Sequence, residues 1–277
     1  MGLIDSILNL AGLLLWLNWC AVRFDPLARP APKTLVGTLR RAEPSHLQRW
    51  KFLAGLATLL LVRAFIYRQI GSALSWTPAL NLAAIVLPFR SEFFGRMLLY
   101  SLLSFACTLV VFYLWLLFLA IVNRGVSEEE PFHKLIRLYL GRVARWPRAL
   151  QCVLPLALGA GLWLAFRPLL VRMEITSHAQ SNAHVILQAL LIGGGSYLTW
   201  RYVVAFFLLA YLLNSYVYLG NHPIWSFVNA TARNLLAPLR RLPLRLGKVD
   251  FAPVLGIALV FLLAETILRW LPEIYPL

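Results

Sequence analysis

From Met97 to Val122 the chain carries no charged side chain, and this run limits the folds open to it. A bilayer's hydrocarbon core is ~30 Å thick and takes about 20 apolar residues as a helix, so the segment reads as a membrane span. Five further stretches qualify: Leu3 to Val22, Phe52 to Ile70, Val153 to Leu170, Val185 to Leu213 and Phe251 to Leu271. Ala79 to Phe89 is apolar but too short to span, and is expected to be interfacial or re-entrant. Backbone groups in lipid must be satisfied within the protein, which favours helices for these lengths. The expected fold is all-α, a polytopic bundle of six spans forming a single membrane domain over residues 1–277. Composition agrees: 60% of the chain is hydrophobic and 13% charged, about half the usual charged share and too little to cover a soluble domain.

A continuous helix from Val185 to Tyr218 would run roughly 50 Å at 1.5 Å per residue. It must tilt, project from the membrane or break, with Gly193-Gly194-Gly195 as the place for a break. Met1 to Cys20 lacks the basic start of a signal peptide and carries Asp5, so the first helix is expected to be retained. Trp19 is too bulky before a processed lipoprotein cysteine. Cys20, Cys107 and Cys152 are isolated and give no disulfide or zinc spacing.

The net charge of +15 is not diffuse. With six spans, the three linkers after spans one, three and five hold 18 of the 26 basic residues. The positive-inside rule makes that face cytoplasmic. Both termini are then expected to face outward. Without base-stacking aromatics in a soluble domain, the basic residues argue for anionic phospholipid rather than nucleic acid.

The linkers repeat a pattern. Asn123-Arg124, a polar loop, Pro131, an amphipathic stretch to Trp146-Pro147 and a span with Gly159 is one copy. Asn214-Ser215, a loop, Pro223, an amphipathic stretch to Pro238 and a span with Pro253 and Gly256 is another. A degenerate copy fills 1–70, ahead of repeats at 94–170 and 185–271. In the middle copy Phe132, Leu135, Ile136, Tyr139, Leu140 and Val143 share one helical face, with Lys134, Arg137, Gly141 and Arg145 on the other. Ser127 to Glu130 reads as its capping box. Such a helix lies in the headgroup region or packs on the protein's own loops. Gly55, Gly159 and Gly256, at matching places, are expected to permit close helix approach.

Asn214-Ser215-Tyr216-Val217-Tyr218, then Asn234 through Pro243 with Pro238, Arg240, Arg241 and Pro243, then Asp250 and Pro253 before an apolar helix, resemble the YggT family. The match is best over 203–263; the middle copy lacks the arginine pair and the aspartate–proline pair. The resemblance implies a small polytopic protein without enzymatic activity. Family members are linked to membrane-complex assembly, including cytochrome maturation in chloroplasts, to cell or plastid partitioning, and to osmotic tolerance.

Read physically, Pro238 and Pro243 stop a helix and hold Arg240 and Arg241 at the surface, where they pair with lipid phosphate or a partner carboxylate or act only as anchors. Arg137 and Arg145 are the matching basic candidates of the middle copy. Asp250 is placed to cap the last span. Inside the spans an ionisable residue needs a partner, since a central Arg or Asp costs ~2.5–3.5 kcal/mol to insert. Glu265 can pair with Arg63 or Arg201, or with Arg269 one turn away; an ion pathway is a third use. Glu174, Ser177, His178, Asn182 and His184 share an outer loop but match no ligand motif, and no nucleotide-binding or hydrolase signature is present. No catalytic residue, metal or cofactor is therefore expected. The expected function is a non-catalytic scaffold or assembly subunit, bound to other integral membrane proteins or to copies of itself. The alternative is a transporter or channel using the intramembrane charges; an enzyme using the outer-loop histidines is weaker.

Overall fold

The computed structural model describes residues 2–23, 46–74, 76–82, 85–125, 131–176, 181–217, 222–239, 245–246 and 249–274. Nine helices follow in order among these: α1 Gly2–Arg23, α2 His46–Leu74, α3 Phe94–Val122, α4 Pro131–Leu140, α5 Arg148–Arg172, α6 Asn182–Gly195, α7 Trp200–Tyr216, α8 Pro223–Leu235 and α9 Ala252–Ile274. Six stretches are long and apolar enough to cross a membrane: Gly2–Ala21, Trp50–Gly71, Phe94–Val122, Arg148–Arg172, Asn182–Tyr216 and Ala252–Trp270. The chain is an all-α, multi-pass membrane protein with six spans, as its apolar runs require. The short Ala79 to Phe89 piece folds as paired strands, β1 Ala79–Leu82 and β2 Ile85–Pro88. Its β-branched residues and flanking prolines suit strands better than a helical turn.

The long fifth span breaks where its glycines stand. α6 stops at Gly195, a 3-10 turn covers Ser196–Thr199, and α7 starts at Trp200. The loosened backbone is satisfied locally, as an apolar surrounding demands. Ser196 Oγ donates to Gly193 O at 2.6 Å, and Thr199 Oγ1 donates to Ser196 O at 2.7 Å. The indole of Trp115 donates to Thr199 O at 3.2 Å.

By contact the residues form two compact units: Met1–Leu80 with Pro88–Val110, and Asn81–Leu87 with Val111–Leu277. α3 contributes its first part to one and its remainder to the other. The first unit closes Leu56, Leu60 and Phe105 against Leu15 and Trp16. In the second, Leu116 and Phe118 of α3, Ile136 of α4, Phe207 and Leu208 of α7, and Phe227 and Ala232 of α8 form the core.

α4 does not lie free in a headgroup layer. Phe132 stacks on Phe227 at 5.4 Å, and Ile136 and Tyr139 join the same core, while Lys134, Leu135 and Arg137 stay exposed. The helix also ends earlier than its apolar period suggests. Gly141 takes φ +56°, a left-handed stop, and a 3-10 segment, Gly141–Arg145, turns the chain toward α5. Gln151 of α5 ties this segment down, donating to Val143 O at 2.9 Å and Ala144 O at 3.2 Å.

Of the three glycines expected to allow close approach, Gly159 needs its missing side chain most. A Cβ there would stand 2.7 Å from the Cα of Gly193, so α5 and α6 touch backbone to backbone. A Cβ on Gly256 would meet only the tip of Leu208, at 2.9 Å. Gly55 is the correction: its nearest neighbour, Leu15, would be 3.8 Å from a Cβ, so that site has room. Gly193→Val should therefore lower stability by about 1–3 kcal/mol through overpacking, whereas Gly55→Ala should hold or slightly raise it. Thermal unfolding in detergent compares the two; equal effects would contradict the backbone contact.

Candidate functional site

Two polar constellations stand out, one in each unit. The first sits among α1, α2 and the start of α3. Arg63 is 2% exposed although it is a charge in a span. Its Nη2 meets Asp5 Oδ1 at 2.7 Å and Ser104 Oγ at 3.1 Å, and its Nη1 meets Asn9 Oδ1 at 2.7 Å. Asp5 takes two more donors, Tyr67 Oη at 2.5 Å and Tyr100 Oη at 3.2 Å. Asn9 Nδ2 donates to Ser104 Oγ at 3.0 Å, closing the ring. The guanidinium also lies 5.3 Å from the Tyr67 ring and 5.4 Å from the Tyr100 ring.

Sequence reasoning missed Asp5 as a partner. The signal was present in helical spacing: Asp5/Asn9, Arg63/Tyr67 and Tyr100/Ser104 are each i,i+4 pairs, one polar face per helix. The arrangement can neutralise a buried charge and fix the register of three helices.

The second constellation is at the end of α3. The last carbonyls of a helix lack partners within it, and here side chains from two later helices supply them. His133 Nε2 bonds Asn123 O at 2.7 Å, and Asn234 Nδ2 reaches Val122 O at 3.3 Å and Asn123 Oδ1 at 3.1 Å. Asn123 Nδ2 donates to Thr231 Oγ1 at 2.8 Å. Asn123, His133 and Thr231 are all buried. Beside this cap a cavity of about 530 Å³ opens, lined by Arg124, Arg137, Arg145 and His133 with Ala120, Ile136 and Ala144. The two middle-copy arginines singled out from the sequence are thus brought together, and Arg124 and His133 join them.

The remaining candidates are dispersed. Glu265 pairs with Arg269 at 3.4 Å on an exposed helical face, while Arg63 takes Asp5. Arg201 donates to Tyr202 Oη at 2.7 Å and lies 4.7 Å and 5.8 Å from the rings of Tyr202 and Phe261. The proposed pairing of Glu265 with Arg63 or Arg201 therefore gives way to the one-turn pair, which needs no long-range alignment. Asn214 Nδ2 donates to Asn229 Oδ1 at 3.2 Å, linking α7 to α8 as Asn123 links α3 to α8.

Pro238 is exposed in the turn after α8, and Pro253 is buried in the first turn of α9, where a missing N–H costs nothing. Phe251 O accepts the first helical bond from Leu255 N at 3.0 Å, and Asp250 stands one residue earlier, opposite Arg245 in the β3–β4 ladder (β3 Arg245–Leu246, β4 Val249–Asp250).

Arg240, Arg241 and Pro243 lie outside the described residues, as do Ser177, His178 and the Ser127 to Glu130 box. Glu174 has a structural place, at φ 56° after α5. Its N–H donates to Val171 O at 2.9 Å and that of Ile175 donates to Leu170 O at 3.0 Å, a Schellman ending. Among the described residues no three His, Cys, Asp or Glu side chains gather in a metal-holding group.

The CCB3/YggT family model matches residues 195–271, which cover α7, α8 and most of α9. This span contains the asparagine, proline and aspartate positions that carried the resemblance, so the chain carries a YggT-type unit there. No curated protein and no solved structure gives a match.

The first constellation makes a quantitative demand. Removing either partner of a buried ion pair leaves an uncompensated charge and costs about 3–5 kcal/mol. Asp5→Asn and Arg63→Met should each approach that loss in a denaturant-induced unfolding series. The double variant Asp5→Asn with Arg63→Met should lose far less than the sum. Additive losses would mean that the two groups do not interact.

Proposed function

We propose that this chain, with its YggT-type unit over the last three helices, is a non-catalytic scaffold or assembly subunit for other integral membrane proteins. It holds anionic phospholipid on its basic, cytoplasmic face, in a bacterial inner membrane with both termini periplasmic. The observation that carries this reading is how the buried polar side chains are used. Arg63, Asp5, Asn9 and Ser104 bond one another, as do Asn123, Thr231 and Asn234. They join helices, which suits a rigid platform better than a moving pathway.

Large apolar and aromatic side chains stay exposed near the ends of the spans, including Trp146, Tyr216 and Trp270. Aromatic residues at these depths suit interfacial anchoring and contact with neighbouring helices. The helix, amphipathic helix, helix order of α3–α4–α5 and of α7–α8–α9 supports the repeat reading, in which each unit presents its own lipid-facing and partner-facing surface. Arg240 and Arg241 are assigned to the same basic face, as lipid or partner contacts.

A transporter or channel is the second reading, and the break between α6 and α7 favours it. Discontinuous helices mark substrate sites in many transporters. Two measurements separate the classes. Gentle detergent extraction from native membranes should bring down a second membrane protein or a homo-oligomer; a lone, monodisperse protomer would sink the scaffold reading. Solute flux into proteoliposomes, abolished by Arg201→Ala, would establish the transporter instead.

A further inference from the structure

The cavity at the end of α3 has more definition than a basic surface requires. Three arginines converge on it from three segments: Arg124 just after α3, Arg137 on α4, and Arg145 on the 3-10 turn. No carboxylate lines it among the described residues. His133 adds a directional group. The ring is 5% exposed, its Nε2 is held by Asn123 O, and its Nδ1 has no hydrogen-bond partner. A buried polar atom left without a partner destabilises the fold. With Nε2 donating to a carbonyl, the neutral ring offers Nδ1 as an acceptor.

We propose that this cavity binds one phosphate ester bearing a free hydroxyl, the headgroup chemistry of a glycerol-type anionic lipid. The proposal deepens the lipid-contact part of the function above and rests on it. Arginine forks match phosphate oxygens in a way that point charges do not, and Arg124 and Arg145 reach the cavity from two different segments. A hydroxyl on the ester supplies the donor that Nδ1 lacks. Ala120, Ile136 and Ala144 provide a short apolar wall for the carbon stem. The volume of about 530 Å³ falls within the usual range for small-ligand sites. Position agrees as well: Arg124 is the second residue after the α3 span ends at Val122, the depth at which headgroup phosphates stand.

The test uses the full chain in detergent, titrated with short-chain phosphatidylglycerol and followed by native mass spectrometry and tryptophan fluorescence. Saturable one-site binding is expected, at least tenfold tighter than to phosphatidylcholine of the same chain length. Arg124→Gln with Arg145→Gln should weaken it at least tenfold, and both positions are exposed, so the fold should persist. Arg142→Gln, a neighbouring arginine outside the lining, should change nothing.

His133→Phe should erase the preference for phosphatidylglycerol over phosphatidic acid, whose headgroup lacks the hydroxyl. If that variant fails to fold, the arginine pair decides alone. Glycerol 3-phosphate binding with the same variant sensitivity would support the site and assign a soluble source. Non-saturable binding, or an equal loss with Arg142→Gln, would overturn the site while leaving general lipid contact intact. No difference between phosphatidylglycerol and phosphatidylcholine would overturn both.

Discussion

Arg63 at hydrocarbon depth is the constraint from which the first unit follows. A guanidinium there needs a counter-charge and several acceptors at fixed distances, and no water is available to supply them. Asp5 provides the charge, and Asn9 and Ser104 provide two further acceptors. These groups come from three helices, so pairing the two terminal nitrogens of one arginine fixes the relative register of all three, while its Nε stays without a partner. Tyr67 and Tyr100 give Asp5 two further donors beside Arg63, which keeps the carboxylate from being a second unmatched charge. The apolar contacts around Leu56, Leu60 and Phe105 add packing but little directional information, because methyl groups tolerate sliding that an ion pair does not.

The same rule acts at the end of α3, with backbone rather than side-chain groups to satisfy. Asn123 sits where the helix runs out of internal donors, and His133 and Asn234 complete the set from α4 and α8. α4 is held at this point by its hydrogen bond as well as by its apolar face. The stack of Phe132 on Phe227 then follows from the position that the cap imposes. Asn214 and Asn229 link α7 to α8 within the YggT-type unit, whereas the side chain of Asn123 bonds Thr231 and Asn234 of that same α8 rather than its own α4.

Much of the fold was legible. Apolar length alone located six spans, and the triple glycine located the break in the fifth. The site was legible only in part, for identifiable reasons. Arg63 announced its need for a partner, but Asp5 lies so near the chain start that its charge was weighed only against a signal peptide. Which helix meets which is set by packing, and no local period encodes it. Arg137 and Arg145 were found from a helical period that the structure ends at Leu140. They come together because Gly141 turns left-handed, not because they share a helical face. His133 was missed because a histidine at the edge of an apolar face looks like any core residue until its two nitrogens are distinguished.

An anion beside the C-terminus of a helix faces an adverse field, so the electrostatics of the cavity decide whether the site is plausible. The helix end carries the equivalent of about half a negative charge. At an effective dielectric of about 20 and a separation of roughly 6 Å, a unit pair interacts by ~3 kcal/mol, so the helix end opposes a phosphate by about half that. Two of its carbonyls, Val122 O and Asn123 O, already receive side-chain donors, which reduces the opposition further. Arg124 and Arg145 each offer an attraction of the same order, reduced by solvent screening at these exposed positions, and together they exceed what the helix end opposes. Arginines gathered from separate segments at one spot are what an anion site at the wrong end of a helix requires.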